Sequence, residues 1–333
     1  MTRGGFQAGA EALWYVGDGR AEIRREPAPA AVSGSVRVRA LYGAISRGTE
    51  CLVFSGRVPQ SEHERMRGPN MGGAFPFPVK YGYAVVGRVE DGPAELAGKT
   101  VFALHPHQTV FSVPADAVAP VPAAVPPQRA VLAANMETAL NAVWDGAPGP
   151  ADRIAIVGAG VVGALCAYLC ARMPGTEVTL VDIEPERAEL AKALSAYFAL
   201  PDAAPIDCDL VIHASASAAG LATALRLAGQ EATVIELSWY GANETPVALG
   251  GAFHSRRLRL ISSQVGSIAP SHRPRWNYRR RLAAALDLLA DPALDALLSA
   301  PTAFHDLPAR LPDIFGDSSG LCPVIKYPAA DVA

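Results

Sequence analysis

Up to about residue 130 the apolar positions arrive in short runs of period two. "ALWYVGDGRAEIRRE" reads as strand, tight Gly-Asp-Gly turn, strand. "SVRVRALYGAI" alternates and then becomes wholly apolar, and "YAVVGRVED" and "KTVFALHPHQTVFSV" continue the series. Proline and glycine punctuate these runs, the pattern of a small irregular barrel. The stretch "PADAVAPVPAAVPP" (114–127) is a connector, coil or sheet edge, because proline cannot donate to a ladder.

From about residue 128 the period lengthens. "QRAVLAANMETALNAVWDGA" has helical spacing. Strand-like "RIAIVGAG", "EVTLVDI", "CDLVIHASA" and "EATVIELSWYG" then alternate with helix-like "VVGALCAYLCARM", "EPERAELAKALSA" and "AGLATALRLA". Such alternation predicts a parallel sheet with right-handed crossovers, an α/β class. "RLRLISSQVGS" adds a strand and "RRRLAAALDLLAD" a helix, and no internal repeat is visible.

Half of the 333 residues are hydrophobic and 18% are charged, below the usual quarter, so a large buried core is expected. The net charge of −3 offers no basic field for nucleic acid. Five cysteines are scattered without a C-x-x-C pair, which argues against a disulfide framework or a structural zinc lobe. The first twenty residues hold no apolar signal core. Ile154 to Ala171 is uncharged and long enough to suggest a membrane span. Gly158, Gly160 and Gly163 interrupt it, so strand, turn and helix is the reading. A cytoplasmic protein without a membrane partner is expected.

Those three glycines form G-x-G-x-x-G between a predicted strand and helix. The first makes a tight turn, the second lets the backbone approach a pyrophosphate, and the third lets helix pack on strand. With Val162 in the same turn, they are the candidate phosphate site, at a helix N-terminus that presents free N–H groups. Asp182 ends the next strand, where a carboxylate accepts from both ribose hydroxyls and repels a 2′-phosphate. NAD(H) is therefore expected in preference to NADP(H). Ser215, Ser238 and Ser263 stand at the carboxyl ends of later strands, the ligand edge of such sheets, and complete the cofactor set. Trp239 and Tyr240 beside them are placed to stack on a flat ring.

Four segments, "GAISRGTE", "YGYAVVGRVE", "NMETALNAVWD" and "VGAGVVG", carry a resemblance to the medium-chain dehydrogenase/reductase superfamily of zinc alcohol dehydrogenases and quinone reductases. "ISRGTE" and "YGYAVVG" are most similar to the group around bacteriochlorophyllide hydroxyethyl dehydrogenase. The resemblance implies a GroES-like irregular β-barrel catalytic domain (1–130), a Rossmann doubly wound parallel-sheet NAD-binding domain (131–266) and a C-terminal segment (267–333) returning to the catalytic domain. It implies an active site between the domains. Zinc members carry Cys-x-Thr/Ser-Asp at the loop and His-Glu in the next segment. Here Arg47 stands at the cysteine position, Glu50 replaces the aspartate, and Tyr83 and Ala84 stand at His-Glu. An arginine does not deprotonate to bind a metal, and catalytic zinc needs about three protein ligands. No zinc is expected.

Without a metal, hydrogen-bond donors must meet the oxyanion that develops as a carbonyl takes hydride. Thr49 and Tyr83 are the candidates, with Arg47 as a positive charge or a clamp on an anionic substrate. Glu137 is a candidate proton carrier or a plain helix-face carboxylate. Thr49 and Glu50 also suit the cap of a short helix. His105 and His107 are spaced like an exposed loop pair, and Cys166 and Cys170 like buried small residues. The late arginines, from Arg256 to Arg281, read mostly as a solvated face. The expected activity is a secondary alcohol–ketone interconversion on a small molecule, with a planar tetrapyrrole- or pterin-like ring as the candidate substrate. A quinone or enone reductase and a non-catalytic dinucleotide-binding protein are the alternatives. Zinc-free relatives imply a homodimer.

Overall fold

A computed structural model describes residues 9–27, 29–30, 32–317 and 320–329. The chain forms two compact units, one made of residues up to 134 together with those from 298 onward, the other of 135–297.

The first unit opens with the hairpin β1 (Ala10–Gly17) and β2 (Arg20–Glu26). Asp18 at φ +52° sits between Gly17 and Gly19, both also at positive φ, which explains the two glycines of this turn. β3 (Ser35–Ala44) follows, then α1 (Arg47–Phe54) and the short β4 (Gly72–Gly73) and β5 (Val79–Lys80). β6 (Val85–Asp91), β7 (Thr100–Ala103), β8 (Val110–Pro114) and β9 (Val118–Pro120) complete the run, before the single turn α2 (Pro127–Ala130). β3 is the hub. β6 pairs along one edge, and β8 pairs with its first half. Val36, Val38 and Ala40 are buried at every second position, as the alternation predicts. The proline-rich connector supplies β9, the edge strand beside β7.

In the second unit α3 (Ala133–Gly146), whose first two residues belong to the first unit, leads into β10 (Arg153–Val157), α4 (Val161–Cys170) and β11 (Glu177–Val181). α5 (Arg187–Ala193), β12 (Tyr197–Ala199), β13 (Cys208–His213), α6 (Ala218–Leu227), β14 (Ala228–Glu236), α7 (Ala252–Ser255) and β15 (Arg259–Ser262) follow. The six strands lie in the order β12-β11-β10-β13-β14-β15 and every pairing is parallel. Relabelled within the unit, this is the doubly wound order 3-2-1-4-5-6. The glycine-interrupted apolar stretch is β10, a turn and the ten-residue α4, which is buried nearly all round. Among the described residues no helix is long and apolar enough to cross a membrane. Cys166 and Cys170 are buried in α4, and burial pushes the Cys170 thiol up to about 12.

The tail departs from expectation. Residues 267–297 stay with the parallel sheet, and the return begins at 298 instead of 267. The reason is packing. α8 (Tyr278–Leu288) buries Ala285 and Leu286, while Asp291 accepts from the Tyr168 hydroxyl at 3.2 Å and from Arg172 at 2.7 Å. The returning segment adds β16 (Thr302–Ala303), α9 (Leu307–Gly316) and β17 (Val324–Lys326). β17 pairs with the second half of β3, and Phe315 of α9 packs on Phe54 of α1 at 5.1 Å.

Candidate functional site

In the first unit "GAISRGTE" is the end of β3 and the start of α1. Ser46 is the N-cap residue, and its N–H donates to Glu50 Oε1 at 2.8 Å. Glu50 therefore turns inward and is fully buried. Its other oxygen accepts from the Tyr15 hydroxyl at 2.7 Å and lies 2.9 Å from His107 Nε2. Gly82, at φ +121°, brings its backbone against the His107 ring, where a Cβ would come within 2.9 Å of three ring atoms. The Tyr83 hydroxyl donates to Ser46 Oγ and also interacts with the Thr49 hydroxyl. Burial pushes the Tyr83 phenol up to about 12, with the two hydroxyls pulling the other way. Tyr83 thus stays a proton donor at neutral pH. Ser46, Thr49 and Tyr83 form a hydroxyl cluster backed by a buried carboxylate.

Arg47 also reaches the returning segment. Expected as a positive charge or a clamp on an anionic substrate, it donates to the main-chain carbonyls of Asp317 and Gly320. It ties the loop to the segment after α9. His105 and His107, expected to be exposed, are both buried. The Leu13 N–H donates to the His107 carbonyl at 2.9 Å, and the His107 N–H donates to that of Tyr81 at 3.2 Å, so main-chain bonds draw the loop inward. His105 stacks on Phe111 at 4.0 Å, and burial lowers its imidazole to about 4.

In the second unit the glycine turn has the geometry its sequence requires. Gly158 adopts φ +108°, and a Cβ on Gly163 would overlap the Gly158 carbonyl. Gly160 caps α4 with nothing within 4 Å of its missing side chain, leaving an open approach to the N–H groups of the first turn, where Val162 lies. Asp182 Oδ2 accepts from the Ala159 N–H at 2.6 Å, and Oδ1 accepts from the Glu184 N–H at 3.1 Å. The acid at the end of β11 thus grips the glycine turn itself. These residues fit a dinucleotide: the open turn from Gly158 to Gly163 would hold a pyrophosphate, and Asp182 would lie beside a ribose.

The other predicted cofactor residues are wired together or committed elsewhere. His213 Nδ1 lies 2.7 Å from Glu236 Oε2, and Nε2 lies 2.7 Å from Ser215 Oγ. Glu236 also accepts from the Ser238 N–H at 2.7 Å and from the Tyr240 hydroxyl at 3.1 Å, while Ser238 Oγ accepts from the Ala216 N–H at 3.0 Å. Burial works to raise the Glu236 carboxyl, but its hydrogen bonds with His213 and Ser238 outweigh it, and the group lies below its ordinary value. Ser263 is buried, and its hydroxyl donates to Asp145 Oδ2 at 2.6 Å. Glu137 is not a free proton carrier. Arg281, only 2% exposed, donates to Glu137 at 3.1 Å, to Asn141 at 2.8 Å and to the Val265 carbonyl at 2.6 Å. Burial raises the Glu137 carboxyl, with Arg281 opposing.

Sequence reasoning missed Ser46 and His107 as members of the first cluster and Glu236 in the second. One signal was available. His213-x-Ser215 spans two residues at a strand end, a spacing that puts both side chains on one face.

A profile of the NAD-binding domain of 3-hydroxyacyl-CoA dehydrogenase matches residues 153–200. No curated protein sequence matches the chain. Among solved structures, L-idonate 5-dehydrogenase from Escherichia coli K-12 is 16% identical, with a TM-score of 0.78, covering 96% of this chain and 98% of that one. The 2R,3R-butanediol dehydrogenase of Bacillus subtilis is 15% identical at a TM-score of 0.77, covering 96% and 100%. An alcohol dehydrogenase from E. coli CFT073, solved with NADH, is 17% identical at 0.76, covering 96% and 100%. The chain therefore has the fold of these dehydrogenases, an irregular β-rich unit together with a Rossmann parallel-sheet unit.

Proposed function

We propose that the protein is an NAD(H)-preferring oxidoreductase that interconverts a secondary alcohol and a ketone without zinc. The observation that carries this reading is the convergence of Ser46, Thr49 and Tyr83 hydroxyls in front of buried Glu50. A bound nicotinamide supplies or removes the hydride. Thr49 and Tyr83 donate to the substrate oxygen as its charge develops, the Tyr83 proton turning from Ser46 Oγ to do so, and Tyr83 holds that proton across the neutral range. Asp182 supports NAD(H), because a carboxylate just past the end of β11 would repel a 2′-phosphate on the ribose beside it. The donor chemistry supports a zinc-free site. Arg47 and Tyr83 stand where thiolate and imidazole would be needed, and among the described residues no group of three or more His, Cys, Asp and Glu side chains is arranged to hold a metal.

A planar ring-bearing substrate is supported by half-exposed Trp239 and Tyr240 just past β14 and by the resemblance of "ISRGTE" to the bacteriochlorophyllide group. A homodimer joined along β15 is supported by the place of that strand at the end of its sheet, with Ile261 38% exposed. Cysteines that are all free agree with a cytoplasmic location.

Thermal shift and turnover test the reading together. NADH is expected to raise the melting temperature more than NADPH does, and Asp182→Ala to abolish the difference. Thr49→Val is expected to cut turnover on a panel of secondary alcohols and ketones about 10²-fold or more while leaving NADH affinity unchanged. Stoichiometric zinc in the purified protein would overturn the metal-free reading. Hydride delivered only to enone carbon would favour a quinone or enone reductase. Coenzyme binding without turnover on either panel would favour a non-catalytic protein.

A further inference from the structure

With His213 as a neutral imidazole, the hydrogen bonds at the carboxyl ends of β13 and β14 have one polarity. An ionised carboxylate only accepts, so the His213 Nδ1–H donates to Glu236. A neutral imidazole then has a bare Nε2, and the Ser215 hydroxyl, 2.7 Å away, must donate to it. Ser217 Oγ, 3.0 Å from Ser215 Oγ, accepts from the Gly220 N–H and so has its own proton for Ser215. Every proton points toward Glu236, and the lone pairs of Ser215 are enriched as a result. The polarity is that of a serine nucleophile with its imidazole base and orienting acid.

The backbone around it suits the same chemistry. Ser215 lies in a tight link between β13 and α6, and Ala216 takes φ +52°. The α6 helix is ten residues long, and Ser217 caps the N–H of Gly220 only. The N–H groups of Ala218 and Ala219 in the first turn have no acceptor within the helix. Gly220 is required, since a Cβ there would overlap Ser215 Oγ and lie 2.7 Å from His213 Nε2. His213 is sealed, Ser215 is half-buried and Ser217 is exposed, so the base is shielded and the hydroxyl is reachable.

We propose that Ser215, His213 and Glu236 form an acyl-transfer site, in which Ser215 attacks activated esters and the first turn of α6 receives the oxyanion. The Ser215 Oγ–carbon bond forms, the ester carbon–oxygen bond breaks, and the Ser215 proton passes through His213 Nε2 to the leaving alkoxide. Water then repeats the sequence and frees the acid. The proposal goes beyond the oxidoreductase reading and does not rest on it.

The test is labelling of the full-length protein with an alkyl fluorophosphonate, mapped by peptide mass, alongside p-nitrophenyl acetate hydrolysis. One phosphonyl group on Ser215 is expected, with loss of fluoride, and none in Ser215→Ala. His213→Gln is expected to slow labelling about 10²–10⁴-fold. Should that variant fail to fold, Glu236→Gln, which keeps the shape and removes the charge, is expected to slow it as well. A Ser215 that labels no faster than other serines of the protein, or a rate unchanged in a folded His213 or Glu236 variant, overturns the proposal.

Discussion

Among the described residues each unit holds one histidine–glutamate pair with a fully buried imidazole, and the two are built oppositely. His107 and Glu50 are both completely buried, 2.9 Å apart, and His107 Nδ1 meets no hydrogen-bond partner among the described residues. His213 and Glu236 are 2.7 Å apart, the glutamate side chain keeps 15% of its exposure, and both ring nitrogens are engaged. The first pair is gripped by packing, with Gly82 against the imidazole and Tyr15 against the carboxylate. The second is held by donors from the loops that follow two strands. A sealed pair fixes a core. A pair whose carboxylate reaches the surface ties together the segments above it.

The largest expected effect separates the two glutamates. Glu50→Ala leaves a histidine and a tyrosine hydroxyl buried without their acceptor, and a loss of about 3–5 kcal/mol in the unfolding free energy of its unit is expected in urea. Glu236→Ala is expected to cost about 1–3 kcal/mol, because loop and solvent reorganise around the gap. Equal losses would erase the distinction. The glycines sharpen it next. Gly82→Ala forces a Cβ into a trapped ring at a positive φ and is expected to cost about 1–3 kcal/mol. Gly220→Ala overlaps a serine hydroxyl that can rotate away but also presses on the sealed His213 ring, at no positive φ, so a loss of about 1 kcal/mol is expected together with loss of fluorophosphonate labelling. The smallest effect is in pH. Glu236 lies below its ordinary value of 4.5, so its contribution is complete above that pH and fades as pH falls through the lowered value. The melting-temperature gap between wild type and Glu236→Gln is therefore expected to hold constant from pH 8 to 5 and to shrink below.

Much of this architecture was legible because it is periodic or local. Val36, Val38 and Ala40 alternate, Gly17-Asp18-Gly19 supplies its own turn, and Gly158-x-Gly160-x-x-Gly163 carries its backbone requirement in the residue type. Contacts between distant polar residues obey no period. Nothing near "HPHQ" announces that His107 meets a glutamate 57 positions earlier. Arg281 sits in a run of arginines that reads as solvated, yet it alone is buried, because α8 turns it toward Glu137. The bonds of Arg47 were hidden for a similar reason, since the carbonyls of Asp317 and Gly320 lie 270 and 273 residues away in sequence.

The bond between Arg281 and Glu137 also sets a clock. The two residues are 144 positions apart, so at about 5–20 residues per second a ribosome needs about 7–30 s between them. Through that interval the nascent α3 carries a carboxylate whose cation has not been made. The first unit waits longer still, because β17 joins β3 only when residues 324–326 have left the exit tunnel. The segment translated first is therefore completed last, and the parallel sheet in the middle of the chain is the part that closes while synthesis continues.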